Sequence, residues 1–541
     1  MKRSCFFLFL CSFLFMGAAS PDATIYTVRS GDTLSAIAAA YMPYTAAYTR
    51  RELIAGIRTI NKIEGPLSIG QSLRIPVAWK EPVKARTVTR PRDFPAKGLY
   101  MNPSSAGTRF IFDSAERLKN LGGNTIVFDA KDDLGAITYP SPIRRAYCPE
   151  EKYYPNIEEL PKLVEYLHRM DIHVAARVVV FRDPIMSRTR PEWCINREKN
   201  WLDPANPDVQ EYILTVIEEL VENGVDEIQL DYIRYHADGR TDTGIEGVSR
   251  TDVIASFLEK VHALTKPRGI LLSVDMFGIV IWQRDVDVLV VGQDIAKMKH
   301  HVDIISPMLY PSHFNPGFGG VKNPADDPYR FIHNGIKRMR DLMGDEVIIR
   351  PWLQSFPLRV TTGFDAKYIQ TQIGAARDAG GTGWLLWSPG NHYNDAYGAM
   401  QNLMRPETPP EVLEASGHSR RVVPVLPVPA PTSAPKAAPA PAPESSPTEA
   451  YTSDPDPSPA DESGPASARS IDPARTPGPV PKTSPAPAAS PVLTSPPAYR
   501  DAQPPESSGT RQQQPKDTPS SGNAYPPERM RMPGSAEPPR G

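Results

Sequence analysis

Cysteine is scarce in this chain: four occur in 541 residues, and two of them, Cys5 and Cys11, fall within the first twenty positions. A cysteine-rich metal site is therefore excluded, and Cys148 and Cys194 allow at most one disulfide in an oxidising compartment. The histidines that could replace thiols, His236, His300, His301, His313 and His392, are too scattered for ligand spacing, and neither H-E-x-x-H nor H-x-x-x-H occurs. No catalytic metal and no other cofactor is expected. The absence of a metal set also weighs against a polysaccharide deacetylase. The G-x-S-x-G elbow of serine hydrolases is missing, and Gly122-Gly123 and Gly380-Gly381 precede strands, so they cradle no phosphate at a helix start. Neither sign of charge predominates, with 60 Lys and Arg against 62 Asp and Glu, and a nucleic-acid partner is not expected.

A long apolar run is also lacking. Phe6 to Met16 is too short for a stable membrane span. With Lys2 and Arg3 before it and Gly17-Ala18-Ala19 after it, residues 1–19 read as a signal peptide cut before Ser20. A lipoprotein is the competing reading, but Leu10 is large where a small residue should precede a lipidated cysteine. The chain is thus expected to be exported to the periplasm, cell surface or medium, with no stable membrane span after cleavage.

Proline divides the rest. Of 60 prolines, 34 lie beyond Arg405, among Ala, Ser, Thr, Glu and Asp with few large apolar side chains. Residues 405–541 are expected to be a disordered, extended tail, because they cannot bury enough surface to offset the entropy of ordering.

Between these ends lie two patterned regions. In 25–76, Ile25-Tyr26-Thr27-Val28 is a short strand, Ser30-Gly31 a turn with Asp32 or Thr33 placed to cap a helix, Leu53 to Ile60 a second helix, and Leu73-Arg74-Ile75-Pro76 a returning strand. The opening Tyr26-Thr27-Val28-Arg29-Ser30-Gly31-Asp32-Thr33-Leu34 and the closing Ile69-Gly70-Gln71-Ser72-Leu73-Arg74-Ile75-Pro76 resemble the LysM module. That resemblance implies a βααβ domain that binds N-acetylglucosamine-containing glycans such as peptidoglycan; a purely structural cap is the alternative. Residues 77–96 are a basic, proline-bearing linker.

From Lys97 the pattern becomes eight apolar runs separated by helical stretches: Gly98 to Pro103, Asn124 to Lys131, His173 to Phe181, Glu227 to Tyr235, Leu271 to Gly278, Asp303 to Pro311, Val347 to Gln354 and Gly383 to Pro389. Alternating strands and helices of this number predict an α/β fold, a (β/α)8 TIM barrel over 97–404, with its active site at the carboxyl ends of the strands. A doubly wound sheet is the alternative. The crossover from Asp285 to His300 has the weakest helical pattern.

The strand ends carry the candidate chemistry. Gln229, Asp231 and Ile233 share one side of the fourth strand, with Asp231 near its end, and Asp275 ends the fifth. Two carboxylates on neighbouring strand ends are the minimum for glycoside hydrolysis, one attacking or activating water and the other protonating the leaving oxygen. Asp129 and Lys131 end the second strand as candidates for substrate binding or electrostatic support, with an ion pair between them the structural alternative; Arg234 is a further substrate-binding candidate, though Asp231 could simply pair with it or with a lysine. Tyr100, Tyr232, Tyr310, Trp352 and Trp387, with His313 and Gln354, end further strands, as aromatic planes and polar neighbours of a sugar cleft would. Asp203, before Pro204, suits substrate contact or loop fixing.

The runs Lys97-Gly98-Leu99-Tyr100, Asn124 to Asp132, Trp201-Leu202-Asp203-Pro204, Gln229 to Tyr235 and Ser306 to His313 resemble a family of bacterial glycosyl hydrolase-like domains, distantly related to α-amylase-type barrels. The resemblance covers 97–403. It implies a retaining hydrolase with Asp231 as nucleophile. The α-amylase pattern has Glu as the acid after the fifth strand; this chain has Asp275, whose shorter reach leaves open an acid from elsewhere, or a degenerate barrel that binds glycan without cutting it.

Overall fold

In the computed structural model the described residues are 23–404, except 151, 196–199 and 238–239. The expected signal peptide and tail lie outside them. Among the described residues no helix is long and apolar enough to cross a membrane.

The N-terminal module pairs β1 (Ala23–Thr27) antiparallel with β2 (Ser72–Pro76). Helices α1 (Leu34–Tyr41) and α2 (Arg50–Asn61) pack across them, burying Leu34, Ile37, Leu53 and Ile57 against Leu73 and Ile75. Thr33 caps α1 by accepting from the Ala36 amide. Asp32 instead fixes the preceding turn, accepting from the Arg29 amide at 2.7 Å and the Tyr26 hydroxyl at 2.6 Å.

The second region is an eight-stranded parallel barrel. Its strands are β3 (Lys97–Met101), β4 (Thr125–Lys131), β5 (His173–Val179), β6 (Glu227–Asp231), β7 (Leu271–Met276), β8 (Ile304–Pro307), a split strand, β9 (Ile348–Ile349) and β10 (Trp352–Gln354), and β11 (Trp384–Trp387). The split strand closes the sheet, because β9 bonds to β8 while β10 bonds to β11. The break falls at Arg350-Pro351, where proline has no amide to donate. Every residue of β4, β5, β6 and β7 is buried, as strands covered by helices on one side and by barrel interior on the other must be.

Helix starts follow the capping rules. Asn206 precedes Pro207–Glu222, Asp327 precedes Pro328–Met343 and Asp365 precedes Ala366–Asp378, each accepting a first-turn amide. Ser249 and Asp252 form a capping box on Arg250–Thr265. The weakly patterned fifth crossover is two short helices, Asp285–Val291 and Ile295–Met298. They part at Gly292, whose φ of 79° and approach to the Arg250 carbonyl, 2.9 Å from any added Cβ, admit only glycine.

Residues 77–96 strap the base of the barrel. The Val88 amide donates to Asp226 at 2.6 Å, Thr87 to the Val225 carbonyl at 3.0 Å, and Arg90 pairs with Asp171 at 2.7 Å. A second set of contacts clamps the module to the barrel's flank. Lys162, fully buried, donates to the Ala47 carbonyl at 2.8 Å and to that of Met42. Tyr48 donates to the Ala106 carbonyl at 2.5 Å, and Arg109 forms a bidentate pair with Glu52 at 2.8 and 2.9 Å.

Burial lowers Lys162 from 10.5 to about 8. A lysine whose folded pKa lies below its unfolded value releases its proton first in the folded state, so stability rises with pH between those two values. We expect the wild type to gain roughly 3 kcal/mol relative to Lys162→Met between pH 8 and 10.5, at 1.36 kcal/mol per pKa unit. Urea titrations of both proteins across that range measure it.

Candidate active site

Seven of the residues picked from the sequence meet inside the mouth of the barrel: Tyr100 from β3, Asp129 from β4, Asp231 from β6, Asp275 from β7, Tyr310 just beyond β8, Trp352 from β10 and Trp387 from β11. At their centre is Arg177 from β5, 4% exposed. Its Nη2 and Nε donate to Asp231 Oδ2 at 2.6 and 3.0 Å, its Nη1 donates to Asp129 Oδ1, and its Nε stands 3.9 Å from Asp275 Oδ2. The same guanidinium lies 5.1 Å from the ring centre of Trp387, which stacks on Tyr100 at 3.9 Å.

Each carboxylate has its own surroundings. Asp129 accepts a second bond from the Tyr100 hydroxyl at 2.6 Å. Asp231 accepts the Tyr232 amide on Oδ1 at 2.6 Å, made possible by a φ of 50° at Tyr232, a left-handed conformation unusual for an aromatic residue. Asp275, 1% exposed, receives Gln229 Nε2 at 2.7 Å and Trp352 Nε1 at 2.6 Å, both on Oδ1.

Charge balance assigns the protons. Among the described residues, three buried carboxylates face one guanidinium, since Lys131 is occupied elsewhere. Keeping all three ionised in so dry a space is costly. Asp129 and Asp231 bond directly to Arg177, whereas Asp275 stands beyond hydrogen-bond reach of it. Burial, reinforced by the Asp231 charge, accordingly holds the Asp275 carboxyl well above the usual range. Burial also raises Asp129, with Arg177 opposing. Because Oδ1 of Asp275 already accepts two N–H groups, its proton belongs on Oδ2, the oxygen nearest Arg177.

The other picked residues lie apart from this centre. Tyr232 and Arg234 form the wall beside β6, with the Arg234 guanidinium 4.7 Å from the Trp201 ring and 4.8 Å from that of Phe277. His313 is exposed on the rim beyond β8, 5.4 Å from Tyr310. Lys131 is fully buried and pairs with Asp183 at 2.9 Å instead of Asp129. Gln354 joins two mouth loops, accepting from the Ser312 amide and donating to the Phe356 carbonyl. Asp203 fixes its own turn through the Ala205 amide at 2.9 Å. Asp231 pairs with neither Arg234 nor a lysine among the described residues; its cation is Arg177.

Sequence reasoning passed over Arg177 and did not weigh Gln229 for a role. The signal was present: Arg177 is the one cation in the run His173-Val174-Ala175-Ala176-Arg177-Val178-Val179, and Gln229 precedes Asp231 by two, on the same strand face. Nearer the base of the barrel a second polar layer supports the first. Glu227 pairs with Arg350 and accepts from His173 at 2.9 Å; burial pushes its carboxyl up, but Arg350 and His173 outweigh that and hold it at about 2.

Residues 98–393 match the family described as "Putative glycosyl hydrolase domain", which is more than half of the chain, and residues 26–76 match the LysM domain. The chain belongs to this glycosyl hydrolase domain family. Its barrel is thus a glycosyl hydrolase-like domain preceded by a LysM domain. Among solved structures it is similar to a hypothetical protein from Ruminiclostridium thermocellum, with 30% identity over 33% of this chain and 96% of that one and a TM-score of 0.29. It is also similar to the PgaB (BpsB) glycoside hydrolase domain from Bordetella bronchiseptica, with 14% identity over 57% and 98% and a TM-score of 0.45. A third is the spore cortex-lytic enzyme SleL from Bacillus cereus, with 14% identity over 70% and 85% and a TM-score of 0.36. No curated protein matches.

The charge assignment has a thermodynamic signature in this hydrolase-like barrel. Arg177→Met leaves two buried carboxylates without their cation and should cost about 3–5 kcal/mol. Asp275→Asn replaces an already neutral group by one of equal shape and should cost no more than about 1 kcal/mol, the worth of one altered hydrogen bond. Asp231→Asn, which removes an ionised partner of Arg177, should cost more than Asp275→Asn. Chemical denaturation of the three variants decides; equal losses for the two Asp→Asn changes would contradict the assignment.

Proposed function

We propose that this protein is an exported glycoside hydrolase of the cell envelope, held on its substrate by the LysM domain. The observation that carries the reading is a shared arginine that bonds Asp231 twice yet stands 3.9 Å from Asp275 on the adjacent strand, an asymmetry that leaves the proton with Asp275. Glycosidic hydrolysis needs that pair.

In this reading Asp275 Oδ2 gives its proton to the leaving glycosidic oxygen while Asp231 attacks the anomeric carbon, forming a glycosyl ester and releasing the first product. Asp275, now a carboxylate, takes a proton from water as the water attacks the ester, and both residues return to their starting states. Arg177 Nε lies 3.0 Å from Asp231 Oδ2 and 3.9 Å from Asp275 Oδ2, so these oxygens are at most about 7 Å apart, a limit that removes most of the wider spacings used for inversion and favours retention. Gln229 and Trp352 hold the acid with its proton toward the nucleophile. Trp387 and Tyr310 offer rings to sugar faces, Tyr100 and Asp129 offer polar groups to hydroxyls, and Tyr232, Arg234 and His313 line the rim. Lys131, Asp203 and Gln354 fit a supporting role, shaping the loops behind those surfaces. The LysM resemblance points to a glycan containing N-acetylglucosamine, such as peptidoglycan.

The burial of both carboxyls, 5% exposed for Asp231 and 1% for Asp275, favours a second reading, glycan binding by a barrel that does not cut. Reducing-end release from peptidoglycan and a panel of α- and β-linked glycans separates the two. Hydrolysis by the wild type that falls roughly 10²–10⁴-fold in Asp275→Asn and at least as far in Asp231→Asn is expected. Glycan binding with no release would leave the second reading.

The pH profile gives a further check. Activity should fall on the alkaline side as Asp275 loses its proton. The Trp352 hydrogen bond favours the charged form, so Trp352→Phe should move that limb to higher pH. A limb that stays in place or moves down would remove Asp275 from the acid's role.

A further inference from the structure

The clamp between the two domains is located where it bears on the substrate. Helices of the barrel run opposite to its strands, so their amino ends are level with the catalytic ends of the strands. Most of the barrel's contributions to the clamp come from that end: Ala106 after β3, Arg109 capping Phe110–Asn120, and Glu158 and Lys162 at the start of Leu160–Arg169, with Tyr166 further along that helix adding a bond to the Ala46 carbonyl. The LysM side contributes the α1–α2 connection and the first turn of α2, from Met42 to Glu52. From there α2 leads away for twelve residues, about 18 Å at 1.5 Å per residue, to an end where Ile60 is 41% and Ile69 75% exposed. The strap from Val83 to Arg90 fixes the module a second time, at the barrel's base.

We infer that the LysM domain and the barrel form one rigid ruler, in which the module's free end grips a glycan strand at a fixed distance from the barrel mouth and so selects polymers long enough to reach both. The inference rests on the glycan-directed function proposed above. A flexible tether would raise the local concentration of substrate without setting a distance; two anchored sites add their affinities only once the ligand spans them. Tyr48 makes separation costly, because withdrawing the module breaks its buried hydroxyl's bond to the Ala106 carbonyl and uncovers its ring from Phe112.

Binding without turnover tests this independently of hydrolysis. Glycan oligomers of increasing length are titrated into full-length Asp231→Asn protein, with and without Glu52→Ala and Arg109→Ala, which remove the exposed bidentate pair. Lys162→Met is added as a third change where the protein remains folded. The intact clamp should give a step in affinity, roughly 10²-fold or more, at one threshold length. The loosened clamp should spread that rise over several lengths, and calorimetry should resolve its single unfolding transition into two. The same gradual rise with or without the clamp, or no dependence on length, would overturn the ruler. Failure of the hydrolase reading would appear elsewhere, as wild-type protein that shows the step in binding but releases no reducing ends.

Discussion

One guanidinium shared among three carboxyl groups organises the mouth of this barrel. Arg177 has donors enough to satisfy Asp129 and Asp231 directly, yet only one positive charge to set against three acids. That imbalance, in a space closed to water, makes the acids unequal. The residue that the arginine does not reach keeps its proton, and the one it grips in two places keeps its charge. Neither role is fixed by residue type, since both are aspartates; each is fixed by which oxygen faces which donor.

The barrel supplies the conditions for that inequality. Parallel strands bring β4, β5, β6 and β7 side by side, so Asp129, Arg177, Asp231 and Asp275 come from four neighbouring strands with no loop needed to place them. A second ionic layer of Glu227, His173 and Arg350 lies closer to the base, and Trp352 closes the site from the strand that Pro351 interrupts. The proline break is of use here, since the bend frees β10 to pair with β11 and leaves Trp352 directed at Asp275. Outside the barrel, the clamp joins the LysM domain to the mouth end and the strap ties the following linker to the base.

Much of this was legible from residue order. The eight strands were readable because fully buried strands are near-continuous apolar runs. Asp231 and Asp275 stood out as acids at the ends of such runs. What could not be read was partnership. The charge partner of Asp231 lies 54 positions earlier in the sequence, and that of Lys131 lies 52 later; only the closed sheet brings them together. The sequence suggested Lys131 for Asp129 because residues two apart share a face of a regular strand, but a bulge between them pairs Asp129 with Arg177 and Lys131 with Val178, which turns Lys131 to the other face and to Asp183. The linker was read as a spacer because its basic, proline-bearing composition does not reveal that its amides meet Asp226 at the base of the barrel.

The central claim concerns a single proton. Neutron diffraction from deuterium-exchanged crystals near neutral pH would locate it directly. The account predicts deuterium on Oδ2 of Asp275, none on Asp231, and Oδ1 of Asp275 accepting from Gln229 and Trp352. Deuterium on Asp231 with both oxygens of Asp275 bare would reverse the roles, and three bare carboxylates around Arg177 would contradict the account altogether.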